Sequence, residues 1–247
     1  MAKIVCVGLA TRDTIWRLPE FPKEDGRVVA TERTVAGGGP AATAAVAIAK
    51  LGVPVRFVGV VDEDLPGVET VRIPGRMVES TILVHDTSRA IVTERHPSFD
   101  CPPDALDGAE WVHVDHVGYR SLPVSDNLQL SVDGGFPMPD LDMATIDLYS
   151  PPADLDDGRR AKLTIVTRGA DGCTAYVGDE EIEMQGVAVD DVVSTLGAGD
   201  VFHGALLAAF VRGLELREAL AKANAAAALS CRALDGRSAI PTWEELR

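Results

Sequence analysis

The sequence predicts an α/β protein built on a largely parallel sheet with helices on its faces. Three observations carry that reading. Short apolar runs rich in Val and Ile, among them Lys3–Ala10 and Leu163–Thr167, have the length and composition of buried strands. Two helices open from glycine-rich junctions, one after Gly37-Gly38-Gly39-Pro40 and one at Leu196-Gly197-Ala198-Gly199-Asp200. Strands alternate with helices, an order that favours parallel pairing and places ligands beyond the carboxyl ends of the strands.

Taken in chain order, Lys3–Ala10 is the first buried strand. Thr11 to Val35 is mixed, and only Arg27–Val35 shows the alternation of an exposed antiparallel strand. Pro40 in the first turn, an alanine-rich body and Gly52 at the end mark a helix. Val53–Val61 is the next strand. Beyond Asp62 the pattern weakens, with a hairpin turning at Asp86-Thr87-Ser88 and strands at Trp111–Asp115 and Leu128–Val132. Ser121–Asp157 shows no convincing helix. Strands return at Leu163–Thr167, Thr174–Val177 and Glu181–Met184. Two helices close the chain, one from Asp200 to Val211 and one from about Leu216 to Leu234.

The 247 residues suffice for one large domain, and 46% hydrophobic with 25% charged residues is an ordinary globular composition. A net charge of −15 argues against a general nucleic-acid or acidic-membrane surface. No apolar run approaches the ~20 residues of a membrane span, and the opening residues lack the layout of a signal peptide. A cytoplasmic protein is therefore expected. Cys6, Cys101, Cys173 and Cys231 have no C-x-x-C spacing and read as buried free thiols.

Four local features point to chemistry. In Ser194-Thr195-Leu196-Gly197-Ala198-Gly199-Asp200, residues with little or no side chain let backbone N–H groups approach an anion at a helix N-terminus. Asp200 in that first turn is placed to take a hydroxyl proton beside the anion cradle. Standing alone, such a block reads as an ordinary helix cap. Gly37-Gly38-Gly39-Pro40 leaves room for a ligand near the backbone, or is simply a tight strand-to-helix turn. Asp13, just after the first strand, could accept from sugar hydroxyls or be a solvated loop residue. Thr167-Arg168-Gly169-Ala170-Asp171-Gly172 suits a turn over a nucleotide and equally a plain hairpin. There is neither a G-x-x-x-x-G-K-[ST] loop nor a G-x-G-x-x-G fingerprint. His203, a turn after Asp200, reads as a packed helix histidine. For Asp115 and His116, substrate contact and loop solvation are both open, and His113 and His116 find no third ligand for a metal.

Together and in this order, these features resemble the ribokinase-like (PfkB) carbohydrate kinases over nearly the whole chain. Asp191–Ala205 is similar to the family's D-[TV]-x-G-A-G-D signature, with longer spacing between Asp191 and Gly197, and the Gly37–Pro40 block is similar to its other signature. The resemblance implies a ribokinase-like three-layer sandwich over 1–247, with a mostly parallel central sheet and a small β lid from about 11–36 and 80–96. It implies an ATP-dependent sugar kinase in which Asp200 is the base and Gly197, Ala198 and Gly199 form the anion hole. Asp13, Gly38 and Gly39 would line the sugar site, and Thr167, Gly169 and Gly172 the nucleotide. Mg²⁺ would arrive with ATP, and the family suggests a homodimer through the lids.

Within that family the pattern is most similar to the sulfofructose kinases, through Glu24–Arg27, Val35–Ala47 and Gly199–Ala205. Pro40 and small residues stand where many sugar kinases have Asn. Arg27 and Arg95 are candidates for gripping an anionic or highly polar acceptor, or are solvated lid charges. Two departures stand out. Helices expected after Asp62 and after Tyr119 are missing, which would expose a sheet face that a partner subunit could cover. The family's N-x-x-E element, which helps organise magnesium, has no match near Tyr149-Ser150-Pro151-Pro152, and Asp147, Asp154, Asp156 and Asp157 are the nearby substitutes. These departures leave room for a family member acting on a nucleoside or other alcohol, or for a binding protein without efficient transfer.

Overall fold

The structure, a computed structural model, describes residues 2–123 and 128–246. β1 (Ile4–Val7) is wholly buried. β2 (Thr11–Arg17) and β3 (Glu32–Gly38) pair antiparallel and lead into α1 (Pro40–Lys50). Then come β4 (Val55–Gly59), β5 (Glu69–Arg72), β6 (Val78–His85), β7 (Ser88–Thr93), β8 (Trp111–Val114) and the short α2 (His116–Ser121). β9 (Gln129–Asp133), β10 (Leu148–Ser150), β11 (Leu163–Thr167), β12 (Cys173–Val177) and β13 (Glu180–Met184) precede α3 (Ala198–Val211) and α4 (Leu216–Ser230).

Nine strands form the main sheet in the order β13-β12-β11-β10-β9-β8-β1-β4-β5. From β11 to β5 the pairing is parallel, and β12 and β13 add an antiparallel edge. Side chains alternate between two cores. Ile4, Cys6 and Phe57 point to one face, where α1, α3 and α4 pack. Small residues let these helices approach closely: a Cβ on Gly204 of α3 would lie 2.6 Å from the Ala44 carbonyl of α1.

The opposite face is not bare, contrary to the expectation from the missing helices. Val5, Val7, Val112, Val114 and Val132 are buried there beneath Cys101, Leu106, Met138, Leu141 and Ile146. These covering residues belong to loops and single 3₁₀ turns. Apolar burial does not need a helix, only enough side chains at the right height. The stretch 121–157, read as lacking a helix, holds the end of α2, and its residues 124–127 lie outside the described part.

A second, four-stranded sheet has the order β3-β2-β6-β7. β6 alternates buried and less buried positions, so the sheet is half-covered. Its inner residues Ile15, Ile82 and Val84 pack against Leu196 and Leu234, which holds the sheet over the start of α3. β2 lay in the stretch read as mixed because its inward residues include Thr11 and Asp13, which break the apolar alternation. β5 and β10, of four and three residues, were too short to stand out. The last helix stops at Ser230 rather than Leu234. Beyond it Asp235 accepts from the backbone N–H groups of Arg237 and Ser238 in a turn. All four cysteines are buried and free. Among the described residues no helix is long and apolar enough to cross a membrane.

Candidate active site

The parallel strands β1, β8, β9, β10 and β11 all end at one side of the sheet. Leu9, Asp115, Asp133, Ser150 and Thr167 stand at or just beyond those ends and line one cavity of about 440 Å³. The small sheet closes it from above through Thr11, Asp13, Ser80, Ile82, Arg89 and Ile91, and the start of α3 closes it below through Gly197, Gly199, Asp200 and His203. A second cavity of about 460 Å³ lies on the other side of that helix start, lined by Thr167, Gly169, Gly172, Gly186, Asn224, Ala228 and others. Thr167 and Gly199 line both.

The helix start has the geometry of an anion cradle. Gly197 takes the left-handed conformation at φ 75°, which glycine adopts without a steric penalty. A Cβ on Gly199 would meet nothing within 4 Å, so its bare backbone borders open space. The first N–H groups of a helix have no intrahelical acceptor and sit at the positive end of the dipole.

Asp200 is half-buried beside this cradle. Burial, and next the carboxylate of Asp133, push its carboxyl up to about 7, against the opposing effect of His203. A carboxyl there can hold or release a proton near neutral pH. Asp133 itself is drawn down to about 2. Burial would raise it, but His203, His113 and the N–H of Gly135, 2.7 Å away, outweigh that. His113 donates to or accepts from Ser131 Oγ at 3.0 Å, and burial and His203 push it down to about 3, so it is neutral.

Most of the residues singled out in the sequence meet here. Asp13 is buried, accepts from Thr11 Oγ1 at 2.7 Å, and is pushed up mainly by burial. Gly39 lines the cavity at φ 90°, whereas Gly38 stands behind Asp13, whose Oδ2 lies 2.0 Å from where a Cβ on Gly38 would be. Packing therefore accounts for glycine at 38 without a ligand. Thr167, Gly169 and Gly172 all line the second cavity. Arg27 and Arg95 are exposed and line neither cavity; Arg89, not singled out, reaches over the first and donates to Thr195 Oγ1 at 2.9 Å.

Asp115 resolves an open pair of alternatives in a third way. It is 1% exposed, and its carboxylate accepts from the backbone N–H groups of Leu9, Ala41, Val117 and Gly118. It fastens the ends of β1 and the starts of α1 and α2, a scaffold role rather than loop solvation. His116 lines the cavity, with its Nε2 2.7 Å from His96 Nδ1 and its ring stacked on Phe136 at 4.2 Å. His203 is a packed helix histidine, 6% exposed, as read, but it also borders the cavity. Asp133, Phe136, His96 and Arg89 also line this cavity and belong to none of the sequence motifs. The sole signal was Asp133-Gly134-Gly135 after an apolar run.

The second cavity suits a nucleotide: small side chains and bare backbone line it, and it abuts the helix start. Mg²⁺ fits less well. Among the described residues no three His, Cys, Asp or Glu side chains converge as a metal site. Of the four nearby aspartates, Asp147, Asp156 and Asp157 are tied to Lys162, Arg160 and Arg159, and only Asp154 lines the cavity.

A mostly parallel sheet, a smaller sheet across its ligand end and a Gly-Ala-Gly-Asp helix start define a ribokinase-like α/β fold. The model of the pfkB family of carbohydrate kinases matches residues 1–70 and 155–243, and the chain belongs to that family. Probable fructokinase-6, chloroplastic, of Arabidopsis thaliana is 39% identical over 92 residues, which cover 34% of this chain and 24% of the relative. The match thus spans about a quarter of that relative's length. An ATP-dependent ribose-1-phosphate kinase of Halopiger xanaduensis is 25% identical, over 97% of this chain and 95% of the relative. The solved structure of the nucleoside kinase of Methanocaldococcus jannaschii superposes with a TM-score of 0.80 at 21% identity, over 100% of this chain and 97% of that one.

Proposed function

We propose that the chain is an ATP-dependent kinase that phosphorylates a hydroxyl of a small sugar or sugar derivative, of ketohexose or sulfosugar type, with Asp200 as general base. The observation that carries this reading is the place of Asp200: on the floor of the first cavity, beside the bare backbone of Gly199 where the two cavities meet. The acceptor lies in the first cavity against Asp13 and Gly39, and the nucleotide in the second along Thr167, Gly169 and Gly172. Asp200 takes the proton of the acceptor hydroxyl. The acceptor oxygen bonds to the γ-phosphorus, the bond to the bridging oxygen breaks, and ADP leaves with that electron pair. The backbone of Gly197, Ala198 and Gly199 holds the charge of the phosphoryl group in transit. Asp154, which lines the first cavity, is the carboxylate that would face a magnesium ion arriving with ATP, and such an ion would supply neutralisation of phosphate charge.

The names of the relatives support ATP as donor and a sugar as acceptor. A nucleoside acceptor is the second reading. The stacked rings of His116 and Phe136 favour it, since an aromatic wall suits a base, and the Methanocaldococcus structure is of a nucleoside kinase. In this reading residues 1–247 act as one domain in the cytoplasm, with the small sheet as lid. The exposed Val35 and Val92 on the outer face of that sheet are the surface for a homodimer.

The test is ADP formation with Mg-ATP and a panel of ketohexoses, sulfonated sugars, ribose and nucleosides, beside Asp200→Asn. Acceptor-dependent ADP that falls by about a thousandfold or more in the variant is expected. Turnover retained in Asp200→Asn removes the base assignment. ATP binding with no transfer to any acceptor makes the protein a binding member of the family.

A further inference from the structure

His203 stands three residues beyond Asp200 on α3, the spacing that puts two side chains on one face of a helix. Both border the first cavity. His203 is 6% exposed, yet its Nδ1 has no hydrogen-bond partner among the described residues. That nitrogen lies 3.6 Å from Oδ2 of Asp133, too far for a good hydrogen bond and close enough for an ion pair. Asp133 sits at the end of β9, 5% exposed, with its other oxygen anchored by the N–H of Gly135. Two carboxylates, one on α3 and one on β9, thus border the same cavity as this imidazole.

We propose that His203, paired with Asp133, is a positioning residue that keeps Asp200 ionised and able to accept a proton. This rests on the reading of Asp200 as the base. The groups that face Asp200 are Asp133 from β9, Asp115 from the junction between β8 and α2, Arg89 from β7, Arg237 from the turn after α4, and His203 on its own helix. Asp115 is spent on four backbone N–H groups and Arg237 on Glu63, Thr43 and the Gly38 carbonyl. Arg89 is exposed, where water screens it. His113, whose ring lies 5.5 Å from His203, is neutral and adds no positive charge. His203, which leans on Asp133, is therefore the buried basic side chain beside Asp200 whose Nδ1 no hydrogen bond ties down. Burial would discharge it, but Asp133 outweighs burial and holds it above the ordinary histidine range.

The test compares the pH dependence of kcat for wild type, His203→Asn and His203→Asn with Asp133→Asn, on the acceptor that turns over. Without the imidazole the acidic limb of the profile rises by about one pH unit. Turnover then recovers at high pH, and KM for ATP stays near wild type. Removing Asp133 as well takes away the repulsion, so the limb falls back. A limb that does not move in His203→Asn, with kcat lowered by one factor at every pH, marks a structural role and overturns the proposal. A second measurement needs no activity: NMR titration of the His203 ring in wild type and in Asp133→Asn. The ring titrates above ~6.5 in wild type and lower in Asp133→Asn; a ring that titrates at the ordinary value in both overturns the proposal even where a variant folds poorly. If Asp200→Asn keeps turnover, the base reading itself has failed. If Asp200→Asn is inactive and the limb is unmoved, only this inference has.

Discussion

At the scale of single residues, Asp200 works against the stability of the fold that holds it. Burial and Asp133 raise it from an ordinary carboxyl to about 7. A carboxyl raised in the folded state stabilises fully only below its unfolded value, and that contribution is lost as pH rises through the folded one. Asp200→Asn removes a charge that the fold accommodates poorly above pH 7. We expect this variant to be inactive yet more stable than wild type by about 2 kcal/mol at pH 8, less than the full shift implies because the side chain is half-buried. The gap should close as pH falls toward 4. Denaturant unfolding at both pH values checks it, and equal stability at pH 8 would show that the carboxyl is not strained. The same logic places the acidic limb of wild-type kcat/KM near neutral pH. Asp200 and its glycine block were legible in the sequence because a helix start is a local pattern. Asp133, Arg89 and Phe136 were not, because each comes from a segment whose neighbours in the chain say nothing about α3.

At the scale of elements, the start of α3 is where the two cavities meet, and Gly199 is its open point. A Cβ there meets no atom, so a larger side chain fits the fold and intrudes only on the ligand space. Gly199→Val should leave the thermal midpoint within about 2 °C of wild type, as a surface change does. It should lower kcat/KM by about a hundredfold by crowding the cradle. Full activity in this variant would move the phosphoryl path away from Gly199. Gly172 contrasts with it: its φ of 91° and the Met184 carbonyl, 2.1 Å from a would-be Cβ, require glycine for folding whatever binds there. Both glycines were visible as parts of motifs. Which of them guards a ligand and which a turn depends on what lies opposite, and that is set by other elements.

At the scale of the whole molecule, the second face of the main sheet is closed by loops instead of helices. Ile146, fully buried on a turn rather than in a helix, is one of the side chains that do this. Ile146→Ala should cost about 2–4 kcal/mol, the usual effect of emptying a packed core site. The denaturation midpoint should fall with its slope unchanged. A neutral effect would mean that the loops do not seal this face and that the partner subunit expected from the sequence is needed after all. The small sheet is a second global feature. It reaches the site because Ile15, Ile82 and Val84 bury against Leu196 and Leu234, elements more than a hundred residues away in the chain.

The sequence by itself determined the fold class and the family, and it marked the glycine-rich helix start at Asp200 and the Thr167–Gly172 turn, both of which border the cavities. Periodicity, helix starts and glycine-rich junctions are written within a few neighbouring residues. Only the tertiary structure decided that Asp115 is a scaffold and Gly38 makes room for Asp13, that Arg89 rather than Arg27 or Arg95 overlooks the cavity, and that His203 and Asp133 stand beside Asp200. Those roles depend on distance and burial between segments far apart in the chain, and charge acts through space rather than along sequence.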